Sequence, residues 1–463
     1  MSVREARPPG ADTARRVPRA DLAAAGAALG LLALACAVGA ALYLAGRPVH
    51  ASAAPFTARW LPHVGPGTPL SLAVAALVVW RGPRLAAQLP WRRLLAAGYA
   101  CAIAWILSLA LVDGWQRGLA GRLTTSDEYL SEIGSVTDIP AMLRGFASRI
   151  LDFQPDSWTT HVSGHPPGAF LVFIGLDRLG LRGGAWAAIV CVAAGALITV
   201  AIPVTVRALG DETTARAAVP FLVLFPGAVW IGVSADGMFA GLTATGLALL
   251  AIGRTRRSAA AGLGAGLLLT FGLYLSYGLT LVAVPAVAVL LLARRLRPLP
   301  WRTIGAAVCA GATVVAAFTL AGFWWLDGYH LVVIRYYQGI ASERPYAYWI
   351  WANLALVVAS AGPAAAVMLR RAVLDAGLPA LLRRPQLLTD LRPVVVLPCA
   401  ALLAILAADL SGLSKAEVER IWLPFTVWLT AGAALLPTPT RRFWLIVQAG
   451  LALLVNHLLL TTW

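Results

Sequence analysis

Residues 166–179 read Pro166-Pro167-Gly168-Ala169-Phe170-Leu171-Val172-Phe173-Ile174-Gly175-Leu176-Asp177-Arg178-Leu179. The stretch is apolar but only about 14 residues long, where a membrane-crossing helix needs about 20. Whether it crosses decides the side on which every later loop falls. Upstream, a first apolar run from Leu22 to Leu44 is long enough to span, and too long for the roughly 7–15-residue core of a signal peptide. Further apolar runs follow to the C-terminus, giving about thirteen candidate spans.

The loops between these runs alternate in charge. One set holds Arg81, Arg84, Arg92 and Arg93; Arg207 and Arg216; Arg254, Arg256 and Arg257; and Arg294, Arg295, Arg297 and Arg302. It continues with Arg370, Arg371, Arg383, Arg384 and Arg392, and ends at Arg441 and Arg442. The positive-inside rule assigns these loops, and the basic tail of residues 1–21, to the cytoplasm. The alternation survives only if 166–179 lies at the outer surface as a juxtamembrane helix. The stretch from Asp113 to Gly184 is then one outer loop, far longer than an ordinary connection, and long loops of this kind tend to be functional.

Composition agrees. Of 463 residues 59% are hydrophobic and 13% charged, against about 25% charged in soluble domains, and the mean hydropathy is +0.77. The expected fold is an all-α polytopic membrane protein. The net charge of +16 would suit a nucleic-acid binder in a soluble chain; here it labels orientation, so no nucleic-acid partner is expected. Lys415 is the single lysine, and this arginine usage with abundant Ala, Gly and Leu is that of a high-GC bacterial genome. Cys36, Cys101, Cys191, Cys309 and Cys399 all fall in apolar runs, which indicates neither a disulfide framework nor a zinc site.

The outer segments carry the polar chemistry. The long loop opens on Thr124-Thr125-Ser126-Asp127-Glu128-Tyr129. One carboxylate there can serve as a general base while its neighbour tunes it, or the pair can be a solvated helix cap. His161-Val162-Ser163-Gly164-His165-Pro166-Pro167 puts two histidines on a proline-stiffened helix entrance; they could bind a metal or shape a substrate site. Asp236 stands at the outer mouth of a span, as a cap or a ligand. Tyr277 belongs to a short outer turn. Residues 324–344 hold aromatics suited to a membrane interface, with His330 and Arg335. Finally, Lys415, Glu417, Glu419 and Arg420 lie at the outer end of a late span. There the cations could contact a phosphate or pair internally with the two glutamates. Arg335, Lys415 and Arg420 are read as the basic residues that break the cytoplasmic rule.

Asp127-Glu128 early in a large outer loop, His165-Pro166-Pro167 leading a juxtamembrane helix, Asp236, and the late Glu417-to-Arg420 segment together resemble the GT-C superfamily of membrane glycosyltransferases. The likeness is to the branch of protein O-mannosyltransferases and lipid A aminoarabinose transferases. The chain departs from that pattern in two spans (22–93) ahead of a core at 94–463 with outer loop 114–183, in Gly168 after the prolines, and in lacking a large C-terminal outer domain.

The resemblance implies transfer of a sugar, with inversion, from a polyprenyl-phosphate donor to a glycan, lipid or protein acceptor at the outer face of the cytoplasmic membrane. It implies Asp127 as base, with Glu128 or Asp236 orienting hydroxyls. Arg420, with Lys415 or Arg335, would hold the phosphate, while His161, His165, Tyr277, His330 and Glu417 complete the substrate site. A divalent cation is compatible with the carboxylates but not required. The rival reading is a transporter or flippase of a lipid-linked precursor, which usually needs ionisable residues inside the membrane; the spans here are nearly free of them.

Overall fold

The computed structural model describes residues 16–294, 300–377 and 392–462. The tail before Arg16, together with Arg295, Arg297, Arg383 and Arg384, lies outside the described residues. Helices dominate, as the apolar runs require: a backbone in lipid must satisfy its own hydrogen bonds. Among the described residues seven helices are long and apolar enough to cross a bilayer. The pair Tyr346–Ala361 and Pro363–Leu374 is as long and apolar when taken together, and it is bent by 103° at its break. Shorter apolar helices lie at Ala259–Leu275, Tyr277–Leu292 and Leu423–Leu435, so the described residues hold fewer full-length spans than the thirteen expected, because several apolar runs fold as short or broken helices.

The bend has a local cause. Pro363 removes a backbone donor, Gly362 has φ +85°, and a side chain at Gly362 would collide with the Gln448 amide. Ala235–Arg256 is the central helix, with 72% of its apolar window buried, whereas Arg19–Leu44 is peripheral at 11%. Large apolar side chains such as Leu29, Leu34, Leu72, Leu263 and Leu454 point outward, as lipid-facing positions should. The chain is an all-α polytopic membrane protein.

Pro167–Arg178 is a helix of 12 residues, about 18 Å long at 1.5 Å per residue, well short of a ~30 Å hydrocarbon core. With this segment not crossing, the helix ends sort into two groups. At one end, Asp21 meets Arg370 and Arg371, Arg207 and Arg216 meet Glu212, and Arg442 donates to the Trp80 carbonyl. At the other end sit 113–184 and the turns before residues 68, 235, 346 and 423. There Trp325 Nε1 donates to the Leu273 carbonyl at 2.9 Å, and Arg344 donates to the Lys415 carbonyl at 2.7 Å.

That second end also holds arginines the charge pattern passed over. Arg122 pairs with Asp113, Arg149 with Glu132, and Arg182 with Asp177, while Arg178 donates to the Val136 carbonyl. The two ends differ as much in acids as in cations. Among the described residues Asp21, Asp211, Glu212 and Asp375 are the acids of the first end, and the remainder lie at the second.

The two leading spans are tied into this acid-rich end. The connection between them carries strand β1 (Ala58–Trp60), which pairs antiparallel with β2 (Leu459–Thr461), Ala58 opposite Thr461. Arg122 donates to the Thr461 carbonyl at 2.6 Å, so the long loop 113–184, the first connection and the strand Leu459–Thr461 meet at one point.

Candidate active site

Asp127 and Glu128 sit in a tight turn that aims their side chains in different directions. The Glu128 N–H donates to the Thr125 carbonyl at 3.1 Å, and Ser131 Oγ donates to the Glu128 carbonyl at 2.6 Å. Asp127 is exposed; its carboxylate accepts from Thr160 Oγ1 at 3.2 Å, and its carbonyl accepts the His161 N–H at 3.0 Å. Glu128 is buried at 6% exposure and caps nothing. Its burial raises the carboxyl to about 7; Arg420 opposes that shift, while Asp236 and Asp127 add to it.

His161 lies on the short helix Thr160–Ser163, with Nδ1 3.3 Å from Glu128 Oε1 and Nε2 3.5 Å from Arg420 Nη2. An arginine can only donate, so Nε2 faces it as an acceptor and the ring proton sits on Nδ1, toward Glu128. Burial, then the Arg420 charge, lowers the imidazole well below its ordinary range and keeps it neutral. His165 is held by its own Nδ1, 2.8 Å from the His161 carbonyl and 2.9 Å from Tyr129 Oη. A carbonyl only accepts, so that nitrogen carries the proton and Nε2 keeps its lone pair. Burial lowers this ring also. Tyr129 stacks on Phe173 at 5.0 Å, fixing the acidic turn to the juxtamembrane helix.

Asp236 is 3% exposed in the first turn of the central helix. It is not the cap: Ser234 Oγ takes that part, accepting the Gly237 N–H at 3.2 Å. The Asp236 carboxylate instead accepts from Arg420 Nη1 at 2.7 Å. Arg420 Nη2 donates to Glu417 Oε2 at 3.1 Å, and Glu417 Oε1 accepts from Arg344 Nη2 at 3.0 Å. The result is a row of alternating sign, Asp236, Arg420, Glu417, Arg344, buried except at the half-buried Glu417. Burial works against the Arg420 charge, yet Asp236, Glu417 and Glu128 outweigh it and hold the guanidinium more firmly protonated than usual. Ala416 and Glu417 both adopt left-handed backbone, φ +70° and +63°, conformations a non-glycine residue pays to hold. Next to them, Glu419 is buried with Oε2 lacking a hydrogen-bond partner, and burial raises its carboxyl to about 8.

Seven of the sequence-predicted residues therefore converge: Asp127, Glu128, His161, His165, Asp236, Glu417 and Arg420. The others are set apart from them. The Lys415 ammonium donates to the carbonyls of Ala341 at 2.8 Å and Arg344 at 3.2 Å, closing the loop between them. Arg335 pairs with Asp152. Tyr277 stands in an aromatic wall with Trp325 and Tyr329, and His330 lines a separate 440 Å³ hollow with Asp327. Sequence reasoning missed two members, Tyr129 and Arg344. Tyr129 adjoins the acidic pair, and Arg344 is another cation on the expected outer side, so each carried a signal. Among the described residues no group of three or more His, Cys, Asp or Glu side chains is arranged to hold a metal ion.

No protein-family model matches the chain, and no curated protein matches it. Among solved structures it is similar to ArnT from Cupriavidus metallidurans in the apo state, at 17% identity and TM-score 0.42, covering 73% of this chain and 60% of ArnT. It is also similar to the Archaeoglobus fulgidus oligosaccharyltransferase solved with zinc and sulfate, at 13% identity and TM-score 0.40, covering 78% of this chain. The chain spans 60% of the length of the first and 50% of the second.

Proposed function

We propose that the chain is a membrane glycosyltransferase of the GT-C type. It moves one sugar, with inversion, from a polyprenyl-phosphate donor to an acceptor hydroxyl at the outer face of a bacterial cytoplasmic membrane. The observation that carries this reading is the meeting of Glu128, His161, Asp236 and Arg420, drawn from four segments, with the exposed Asp127 next to Glu128, at the end of the bundle opposite the arginine loops. In this reading the arginine loops and the basic tail face anionic lipid headgroups in the cytoplasm. Residues 22–93 are two spans added to the core 94–463.

The chemistry follows from the parts. A lipid phosphate is a fair leaving group, so the protein must position the acceptor, take its proton and stabilise charge on the departing phosphate. Asp127 is the exposed carboxylate of the cluster and takes the acceptor proton. The acceptor oxygen bonds to the anomeric carbon as the bond from that carbon to the phosphate oxygen breaks. Arg420 offers a planar fork to the phosphate, and Asp236 and Glu417 aim it. Glu128 and His161 orient hydroxyls near the transferring sugar.

Membranes containing the chain, incubated with a panel of radiolabelled polyprenyl-phosphate sugars, should transfer label from at least one donor. The Asp127→Asn variant, expressed to equal level, should lose about 10²-fold or more of that rate, the usual contribution of a general base. Absence of label transfer from every donor would overturn the reading in favour of a flippase.

A further inference from the structure

Beside the acidic turn lies a 520 Å³ pocket, within the ~300–1,000 Å³ of ordinary ligand sites. Thr124 and Ser131 line it from either side of Asp127 and Glu128, and the juxtamembrane helix supplies Asp177 and Arg178. We propose that this pocket binds the acceptor, and that the acceptor is a saccharide. The proposal rests on the transferase reading given above.

Three observations select that ligand. First, the wall is shared: Ser131 Oγ donates to the carbonyls of Glu128 at 2.6 Å and Ser126 at 3.2 Å, so a ligand against Ser131 lies against the turn that carries Asp127. Phe173 anchors Tyr129 from the same helix that presents Asp177 one turn later, a rise of about 6 Å.

Second, beside Leu130, Ile133 and Val136 the lining carries both hydrogen-bond donors and acceptors. The Thr124 and Ser131 hydroxyls give their protons to protein carbonyls, which leaves oxygen lone pairs to accept from ligand hydroxyls. Asp177 adds an accepting carboxylate, only partly engaged with Arg182 at 3.4 Å, and Arg178 adds a donating guanidinium whose one short bond is to the Val136 carbonyl at 2.6 Å. A ring with several hydroxyls meets each of these; a lipid tail meets none.

Third, the lining backbone between residues 131 and 136 closes on itself in 3₁₀ turns, Ser135 N–H to the Glu132 carbonyl and Val136 N–H to the Ile133 carbonyl. It offers no open strand edge to a peptide.

In the reaction the bound saccharide hydroxyl gives its proton to Asp127 and its oxygen bonds to the anomeric carbon of the donor sugar. Polyprenyl phosphate leaves with the electron pair of the broken bond. With the pocket blocked, water can still take the acceptor's place.

Gly134 lines the pocket, and a Cβ there would meet nothing within 4 Å, so Gly134→Trp puts bulk at the pocket wall with the backbone in place. Gly145 is equally open but outside the pocket, so Gly145→Trp is the control. Binding of mannobiose, cellobiose and chitobiose to the full chain in detergent is read by saturation-transfer NMR, and release of polyprenyl phosphate from labelled polyprenyl-phosphate mannose by water is read in parallel. The expected result is binding of at least one disaccharide to wild type and to Gly145→Trp, weakened about tenfold or more in Gly134→Trp, with donor hydrolysis unchanged.

Binding of none of the three, or binding unaffected by Gly134→Trp, overturns the pocket. Loss of donor hydrolysis in Gly134→Trp assigns the pocket to the donor and overturns it as an acceptor site. Disaccharide binding that Gly134→Trp removes, without turnover of donors of any kind, keeps the saccharide site and removes the transferase reading instead.

Discussion

Each end of the bundle sets arginine against a buried carboxylate, and the two clusters are built to different ends. At the arginine-loop end Asp21 is fully buried in the first turn of the leading span. Arg371 grips it from Nε at 2.9 Å and Nη2 at 2.8 Å, and Arg370 from Nη1 at 3.3 Å. One acid receives two cations that sit next to each other on the chain, so both carboxylate oxygens are occupied. At the acid-rich end the charges alternate through Asp236, Arg420, Glu417 and Arg344, and the row continues to His161 and Glu128. That row contains a carboxyl near neutral pKa and a neutral imidazole, and it stands beside the exposed Asp127. A saturated ion pair is a pin; an alternating row with groups poised near neutrality can exchange partners with a ligand. Burial of charge alone does not distinguish the two, since both cost desolvation.

The largest effect should come from Arg420→Ala, which strands Asp236 and leaves Glu417 with Arg344 alone. Breaking a buried pair costs about 3–5 kcal/mol, so thermal unfolding should fall markedly and donor affinity with it. Arg420→Lys, which keeps the charge but not the fork, should regain stability while donor use stays low. Next is Asp21→Asn, which should lower stability by a few (~2–3) kcal/mol through the loss of a buried charge partner. It should leave transfer per folded molecule intact.

A smaller effect is in pH. Burial raises the Glu128 carboxyl to about 7 and that of Glu419 to about 8, whereas in the unfolded chain both sit near 4.3. The folded state therefore binds more protons over that interval, and stability should decline as pH rises from about 4.3 toward 8. Activity that needs the Glu128 anion should move the other way and rise through about pH 7, and a Glu128→Gln variant should lose that limb. Melting temperature and initial rate, measured across the same pH series, separate the two. The smallest effect belongs to Arg335→Gln at the rim, where loss of a partly exposed pair with Asp152 should cost no more than about 1 kcal/mol.

Which parts of this contrast were legible from residues alone follows from range. The short apolar segment 166–179 and the alternation of arginine loops are local features, and they carry the span order and the two ends. Asp127, Glu128, His165 and Asp236 stand out because a polar residue at a span mouth is unusual in so apolar a chain. What escaped depends on contacts between distant residues. Arg344 meets Glu417 across 73 positions, and no periodicity reports such a pair. Lys415 and Arg335 look available for phosphate until the fold supplies carbonyls and Asp152. The arginines from Arg117 to Arg182 at the acid-rich end escape the charge rule because it weighs short loops, and here each such cation that pairs with an acid does so within its own loop.

The most direct test sets one acid from each end against the other. Asp236→Asn and Asp21→Asn, purified and matched for folded protein, are compared for release of polyprenyl phosphate from the labelled donor that wild type prefers. Asp236→Asn should lose at least about tenfold in kcat/KM, the scale of one misplaced charged group at a reacting centre, while Asp21→Asn keeps the wild-type value. Equal rates in the two variants would contradict the assignment of chemistry to the acid-rich end.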